Sequence, residues 1–157
     1  MNGMTIRKLL IKDWTVKQIF RGVFSSDCLP KHVRKGVAHA FVINTDPHYK
    51  PGTHWVAVYV SAFGRATYFD SFGMLPFPQT IADFLSYNQW TLRINPVTLQ
   101  SFDAKTCGLY CVLFIKRMCR GESLQSFLSL FNPLSPAYND RKIEALFQES
   151  MLRLETV

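Results

Sequence analysis

The first half of the chain contains runs of apolar, aromatic and β-branched residues that predict strands. These runs are residues 37–44, 53–61 and 66–71. The short segment 62–65, which contains Gly64, predicts a hairpin turn between the second and third runs. Ahead of them, apolar residues recur at helical spacing, so a helix is predicted over residues 14–23 with Thr15 as its N-cap.

The second half alternates between amphipathic and strongly apolar segments. A helix is predicted over 80–87, an alternating strand over 90–95, and amphipathic helices over 123–131 and 140–152. Between them, the segment from Cys107 carries no charge until Lys116, which predicts a buried central helix that ends near Gly121. This order predicts an α+β fold, with a small mixed or antiparallel sheet flanked by helices, in a single domain over residues 1–157.

The length and composition are consistent with one folded domain. The 157 residues are 48% apolar and include 13 Phe, enough for a sizeable core. No apolar run is long enough to cross a bilayer, and the start lacks the pattern of a signal peptide, so we expect an intracellular protein without membrane partners. Its cysteines are then expected to be thiols, and a metal site is not expected because CxxC and HxxxH pairs are missing. The cysteines are Cys28, Cys107, Cys111 and Cys119.

The net charge of +7 is concentrated in residues 1–50, where nine Lys and Arg face three Asp. Such a field favours nucleic acid or another polyanion through counterion release. A solvated basic surface that keeps the protein in solution is the alternative. Sequence-specific readout is not indicated, because no helix-turn-helix, zinc-finger or RNA-binding sheet motif is present.

Cys107 stands where a polar loop meets the start of the buried helix, and a helix N-terminus lowers the pKa of a thiol. It is therefore a candidate nucleophile. The predicted hairpin brings His54 and Asp70 to one end of the sheet, where His54 could act as base and Asp70 could orient it. The Gln100 side chain and the Cys107 backbone N–H could stabilise an oxyanion. Any one of these residues alone more often has a structural role.

Three blocks resemble the signature of the adenain family, the maturation proteases of adenoviruses, with homologues in other large DNA viruses and virus-like transposons. The blocks are Gly52-Thr-His-Trp55, Tyr68-Phe-Asp-Ser-Phe-Gly73 and Gln100-x6-Cys107-Gly-Leu-Tyr-Cys111. The order His, acid, Gln, Cys is that of the whole clan, which includes the SUMO-deconjugating proteases. The resemblance implies the adenain-like fold, with Cys107 as nucleophile, His54 as base, Asp70 in place of the family's Glu, and Gln100 as oxyanion donor.

Two further residues are weighed in the light of this resemblance. Trp55 would cover the His54 imidazole, or would be an ordinary core aromatic. Asp103 is a rival acid that we consider less favoured, because its loop is on the nucleophile side.

The resemblance also implies a function. It implies a cysteine endopeptidase that cuts viral or transposon structural precursors near Gly-containing motifs during particle maturation, in the host nucleus or the virion. No cofactor is expected for the chemistry, whereas DNA is a candidate activator because the family uses it. The family's activating peptide bonds to a cysteine before the oxyanion Gln, but residues 90–99 contain none, so that route is not expected here. We expect a monomer.

Two alternatives remain open at this stage. One is a protease of the same clan that removes ubiquitin-like modifiers. The other is a basic nucleic-acid-binding protein with a vestigial thiol site.

Overall fold

A five-stranded mixed sheet is the centre of the fold. The computed structural model describes the backbone of residues 1–155 and the side chains of residues 1–149. The strands follow chain order across the sheet: the two outer pairs are parallel and the two inner pairs are antiparallel. They are β1 (Phe20–Ser25), β2 (His39–Asn44), β3 (Trp55–Val60), β4 (Arg65–Phe69) and β5 (Thr91–Ile94).

Helices flank this sheet, which confirms the predicted α+β class with a mixed sheet. They are α1 (Gly3–Ile11), α2 (Trp14–Ile19), α3 (Gln79–Tyr87), α4 (Cys107–Cys119), α5 (Leu124–Leu128) and α6 (Pro136–Glu155). Within the described residues, no helix combines the length and the apolar character needed to span a membrane.

Two apolar clusters cover the two faces of the sheet. On one face α4 packs against the strands, and the Phe69 ring stacks on Phe114 with 4.8 Å between ring centroids. On the other face α3 contributes Ile81, Phe84 and Leu85 to a second cluster. All six residues of β2 are buried, because both of its faces are covered. The helix that starts with Cys107 is therefore central, as its sequence predicts.

The prediction of one helix over residues 14–23 is wrong in its second half. The helix ends at Ile19, and the next six residues form β1, which pairs in parallel with β2. Gly22 lies there at a φ of +141°, which an α-helix does not accommodate. The N-cap is Asp13 and not Thr15: the Asp13 carboxylate accepts the backbone N–H of Thr15 at 3.1 Å.

Other boundaries also differ from the predictions. Helix α1 was not predicted, although it buries Ile6 and Leu10 and is capped by the Asn2 side chain. Helix α6 begins at Pro136, four residues before the predicted start. The side chains of 150–152, on which part of its predicted amphipathic face depends, lie outside the described residues, as do residues 156–157 of the predicted domain.

Candidate active site

The hairpin of β3 and β4 joins His54 to Asp70. His54 directly precedes β3 and Asp70 directly follows β4, so both lie at the end of the sheet opposite the turn. The His54 Nε2 atom is 2.8 Å from Asp70 Oδ1, and the two side chains are only 16% and 5% exposed. Asp70 Oδ1 also accepts the backbone N–H of Phe72. Asp103, the rival acid of the sequence prediction, is exposed on its loop, and the carboxylate bonded to His54 is that of Asp70.

Cys107 is the first residue of α4 and is 7% exposed. Burial raises the pKa of its thiol, but hydrogen bonds from His54 and from the backbone N–H groups of Trp55 and Gly108, with the charge of His54, outweigh burial and lower that pKa. Because His54 Nε2 is hydrogen-bonded to Asp70, the other ring nitrogen of His54, Nδ1, is the one left to face the Cys107 sulfur.

The same contacts act on His54 in the opposite direction. Burial lowers the pKa of His54, whereas hydrogen bonds to Asp70 and Cys107 raise it, and the result is about 9. Both shifts favour the imidazolium–thiolate pair over the neutral thiol and imidazole. Cys111, one turn further along α4, is fully buried, and burial raises the pKa of its thiol well above the ordinary value. The fold thus activates one of two neighbouring cysteines.

Gln100 is held at both ends of its amide. Its Oε1 accepts the hydroxyl of Ser71 at 2.6 Å, and its Nε2 donates to the backbone carbonyl of Ala104 at 2.6 Å. The side chain is almost completely buried. An amide NH2 carries two hydrogens, so these two hydrogen bonds leave one N–H of the Gln100 side chain over.

The aromatic ring that covers the His54 imidazole is that of Phe72, where the sequence suggested Trp55. The two rings stack with centroids 4.8 Å apart and planes 30° apart. The Trp55 side chain packs against the main core, and its indole N–H donates to the Met1 carbonyl oxygen at 3.1 Å. Trp55 thus fits the alternative expectation of a core aromatic, while its backbone N–H serves Cys107. Phe72 was missed, although it lies within the Tyr68–Gly73 block.

A tight turn after β4 fixes this part of the site. The N–H of Gly73 donates to the Asp70 carbonyl at 2.8 Å, and the buried Asn95 side chain donates to the same oxygen at 2.6 Å. Gly73 has a φ of +69°, and a Cβ there would lie 2.7 Å from the carbonyl carbon of Val97. Only glycine fits this close approach between the two chain segments.

One group in the described part of the chain has the side chains to hold a metal ion. Its members are Asp27, Cys28 and His48, all exposed, with donor atoms within 4.8 Å of one another. Asp27 and His48 already satisfy each other through a hydrogen bond of 2.5 Å between Oδ2 and Nδ1. All four cysteines of the chain are free thiols, as the sequence predicts.

Comparison with known proteins gives three similarities. A protein of Acanthamoeba polyphaga mimivirus assigned as a thiol protease is 32% identical over 100 residues, which cover 57% of this chain and 33% of that protein. The protease of snake adenovirus serotype 1 is 26% identical over 123 residues, covering 69% of this chain and 60% of that protein. A crystal structure of an ASFV protease matches with a TM-score of 0.47 and 24% identity, over 66% of this chain and 42% of that one.

No family model matches the chain. The chain spans about a third and about three fifths of the lengths of the two viral relatives. Their similarity confirms the predicted resemblance to the cysteine proteases of adenoviruses and other large DNA viruses.

Proposed function

We propose that this chain is a cysteine endopeptidase of the viral-maturation type, with Cys107 as nucleophile, His54 as general base and acid, Asp70 as the residue that orients His54, and Gln100 as oxyanion donor. One observation carries the proposal. Cys107 begins a buried helix, its pKa is lowered by His54, and the His54 imidazole is hydrogen-bonded to the buried Asp70 carboxylate. The similarity to viral thiol proteases supports it independently.

The mechanism follows from these contacts. The Cys107 thiolate attacks the carbonyl carbon of the scissile peptide, and the electron pair of the C=O bond moves onto oxygen. That oxyanion accepts hydrogen bonds from the Gln100 side chain and the Cys107 N–H. As the C–N bond breaks, the His54 imidazolium donates its proton to the leaving amine, and a thioester remains. His54 then takes a proton from water, which attacks the thioester and releases the acid and the thiolate.

The substrates we propose are polypeptides, in the first place structural precursors of a virus or virus-like element cut near Gly-containing motifs. The viral origin of the relatives supports a virus-infected cell or a particle as the setting. Removal of ubiquitin-like modifiers needs the same chemistry and is kept as the competing function.

Binding of DNA as an activator is a further part of the proposal. All nine Lys and Arg of residues 1–50 are exposed. These positive side chains would bind the DNA phosphate backbone without sequence preference. The affinity for DNA should then fall steeply as the salt concentration rises. DNA would then confine the enzyme near substrates packed on the same polymer.

Cleavage of a fluorogenic Leu-x-Gly-Gly peptide tests the function. We expect turnover by the wild type and by Cys28→Ala, a matched control that removes an exposed thiol, and none by Cys107→Ala. Duplex DNA should raise the rate at low salt only. Efficient cleavage of a modifier-derived substrate in preference to the peptide would favour the deconjugating function. An unreactive Cys107 together with no turnover would refute the proposal.

A further inference from the structure

We infer that Asp140, in the second turn of α6, is a positioning residue that fixes the oxyanion hole by joining its two halves. This inference rests on the proposed function. One half of the hole is the Gln100 side chain, which follows β5, and the other is the Cys107 N–H, at the start of α4. The loop 101–106 separates these two donors, so the distance between them depends on the contacts that hold this loop in place.

Asp140 is that bridge. Its carboxylate is 8% exposed and accepts three hydrogen bonds. Oδ2 accepts the backbone N–H of Ser101 at 3.0 Å, whereas Oδ1 accepts the hydroxyls of Thr106 at 2.8 Å and Tyr110 at 3.1 Å. Ser101 follows Gln100 directly and Thr106 precedes Cys107 directly. One side chain therefore contacts the immediate neighbours of both donors.

The preceding residue reinforces the bridge from the other side of Gln100. Asn139 Nδ2 donates to the Leu99 carbonyl at 3.1 Å, and the Tyr110 hydroxyl lies 3.3 Å from the same oxygen. Asn139 is itself held by the backbone of Asn132, which accepts from Nδ2 at 2.7 Å and donates to Oδ1 at 2.8 Å. Helix α6 thus holds the residues before and after Gln100.

The middle of the loop between the two donors has little packing of its own. Phe102 is 96% exposed, and Asp103 and Lys105 are exposed as well. A buried carboxylate is costly unless its oxygens are satisfied, and here each of its three donors is in this loop or in the first turn of α4. We therefore infer that Asp140 positions the oxyanion hole as well as attaching α6 to the rest of the domain.

The test is Asp140→Asn, which keeps the shape but turns one acceptor into a donor. We expect kcat for the peptide to fall about tenfold or more with KM unchanged, because losing one oxyanion donor costs about a hundredfold or more. Affinity for a peptide aldehyde, whose tetrahedral adduct places its oxygen in the hole, should fall in parallel. Alkylation of Cys107 by iodoacetamide should keep its rate and pH dependence, because Asp140 contacts neither His54 nor Asp70.

Further variants keep the test decisive. Thr106→Val and Tyr110→Phe each remove one donor to Asp140, so each should lower kcat by a smaller factor than Asp140→Asn. They carry the test if Asp140→Asn does not fold. Asp83→Asn removes an exposed carboxylate and should change nothing. In a Gln100→Ala background, Asp140→Asn should cost less than it does alone, since both act on the same oxyanion.

The outcomes separate the two proposals. An active wild type with unchanged kcat and aldehyde affinity in all three Asp140-network variants would overturn the inference and leave the peptidase intact. Parallel loss of alkylation and turnover would reduce Asp140 to a purely structural role and overturn it too. A wild type with neither turnover nor a reactive Cys107 would refute the function, and the inference with it.

Discussion

The Ser71 hydroxyl donates to the Oε1 atom of Gln100 across 2.6 Å, and both side chains are buried. Ser71 lies between Asp70, which is hydrogen-bonded to His54, and Phe72, which stacks on the His54 ring. Three consecutive residues directly after β4 therefore contact both His54 and Gln100. The Ser71 backbone carbonyl also accepts a hydrogen bond from the backbone N–H of Gln100 at 3.1 Å.

Replacement of Ser71 by Ala should lower kcat about tenfold, because the Gln100 amide would lose the partner that fixes its oxygen while its N–H donors remain. KM and the rate of Cys107 alkylation should be unchanged. Steady-state kinetics with the fluorogenic peptide, beside an alkylation time course, measure this. Ser61→Ala in the β3–β4 turn is the matched control. Equal losses in both variants would show that the effect is not specific to Gln100.

Peptidase activity should follow a bell-shaped dependence on pH. The lowered pKa of Cys107 means that thiolate forms below the pH at which an ordinary thiol ionises, and activity rises there. The raised pKa of His54 means that the imidazolium needed for the leaving amine persists up to pH of about 9, above which activity falls.

Alkylation of Cys107 separates the two limbs of this profile. It needs only the thiolate, so it should rise with the acidic limb and show no fall above pH 9. An alkylation rate that begins to rise only near the pKa of a free thiol, about 8.5, would contradict the ion pair.

Phe72→Leu should move the alkaline limb of the activity profile to lower pH by about half to one pH unit. The Phe72 ring lies on the imidazolium and stabilises its charge through a cation–π contact, which leucine cannot supply. Phe102→Leu is the control, because Phe102 is 6.5 Å from Phe72 and is not the ring stacked on His54. An alkaline limb that is the same in both variants would indicate that Phe72 only covers the site.

Gly73→Ala should destabilise the protein more than Gly64→Ala. Both glycines have positive φ, +69° and +75°, and this conformation alone costs an L-residue about 1–2 kcal/mol. Only at Gly73 does the added Cβ meet backbone, whereas space is open around Gly64. Urea denaturation of both variants measures the difference in the free energy of unfolding. Equal values would show that the segment after β5 moves aside without cost.

The sequence predicts those parts of the site that depend on local pattern. The hairpin of 53–61 and 66–71 brings His54 to Asp70, and the onset of an uncharged helix places Cys107 at its N-terminus. Whether these residues catalyse a reaction stays a prediction for the experiments above.

Contacts between distant segments could not be predicted in this way. The apolar residues from Val16 to Val23 fit a helix, yet parallel pairing with β2 makes the second half a strand. Phe72, rather than Trp55, covers the imidazole because it lies in the turn that Gly73 closes onto Asp70, whose carboxylate is hydrogen-bonded to His54. The contacts of Asp140 depend on the docking of α6, which no spacing along the chain records.

The position of Asp140 along the chain bears on the order of synthesis. The ribosome has added all four proposed functional side chains once Cys107 is made, but the carboxylate that joins Ser101 to Thr106 comes only with α6. On the proposed function and the inferred role of Asp140, a nascent polypeptide that carries Cys107 therefore still lacks a fixed oxyanion hole. Proteolytic activity would then appear only after translation has passed residue 140 and that helix has docked.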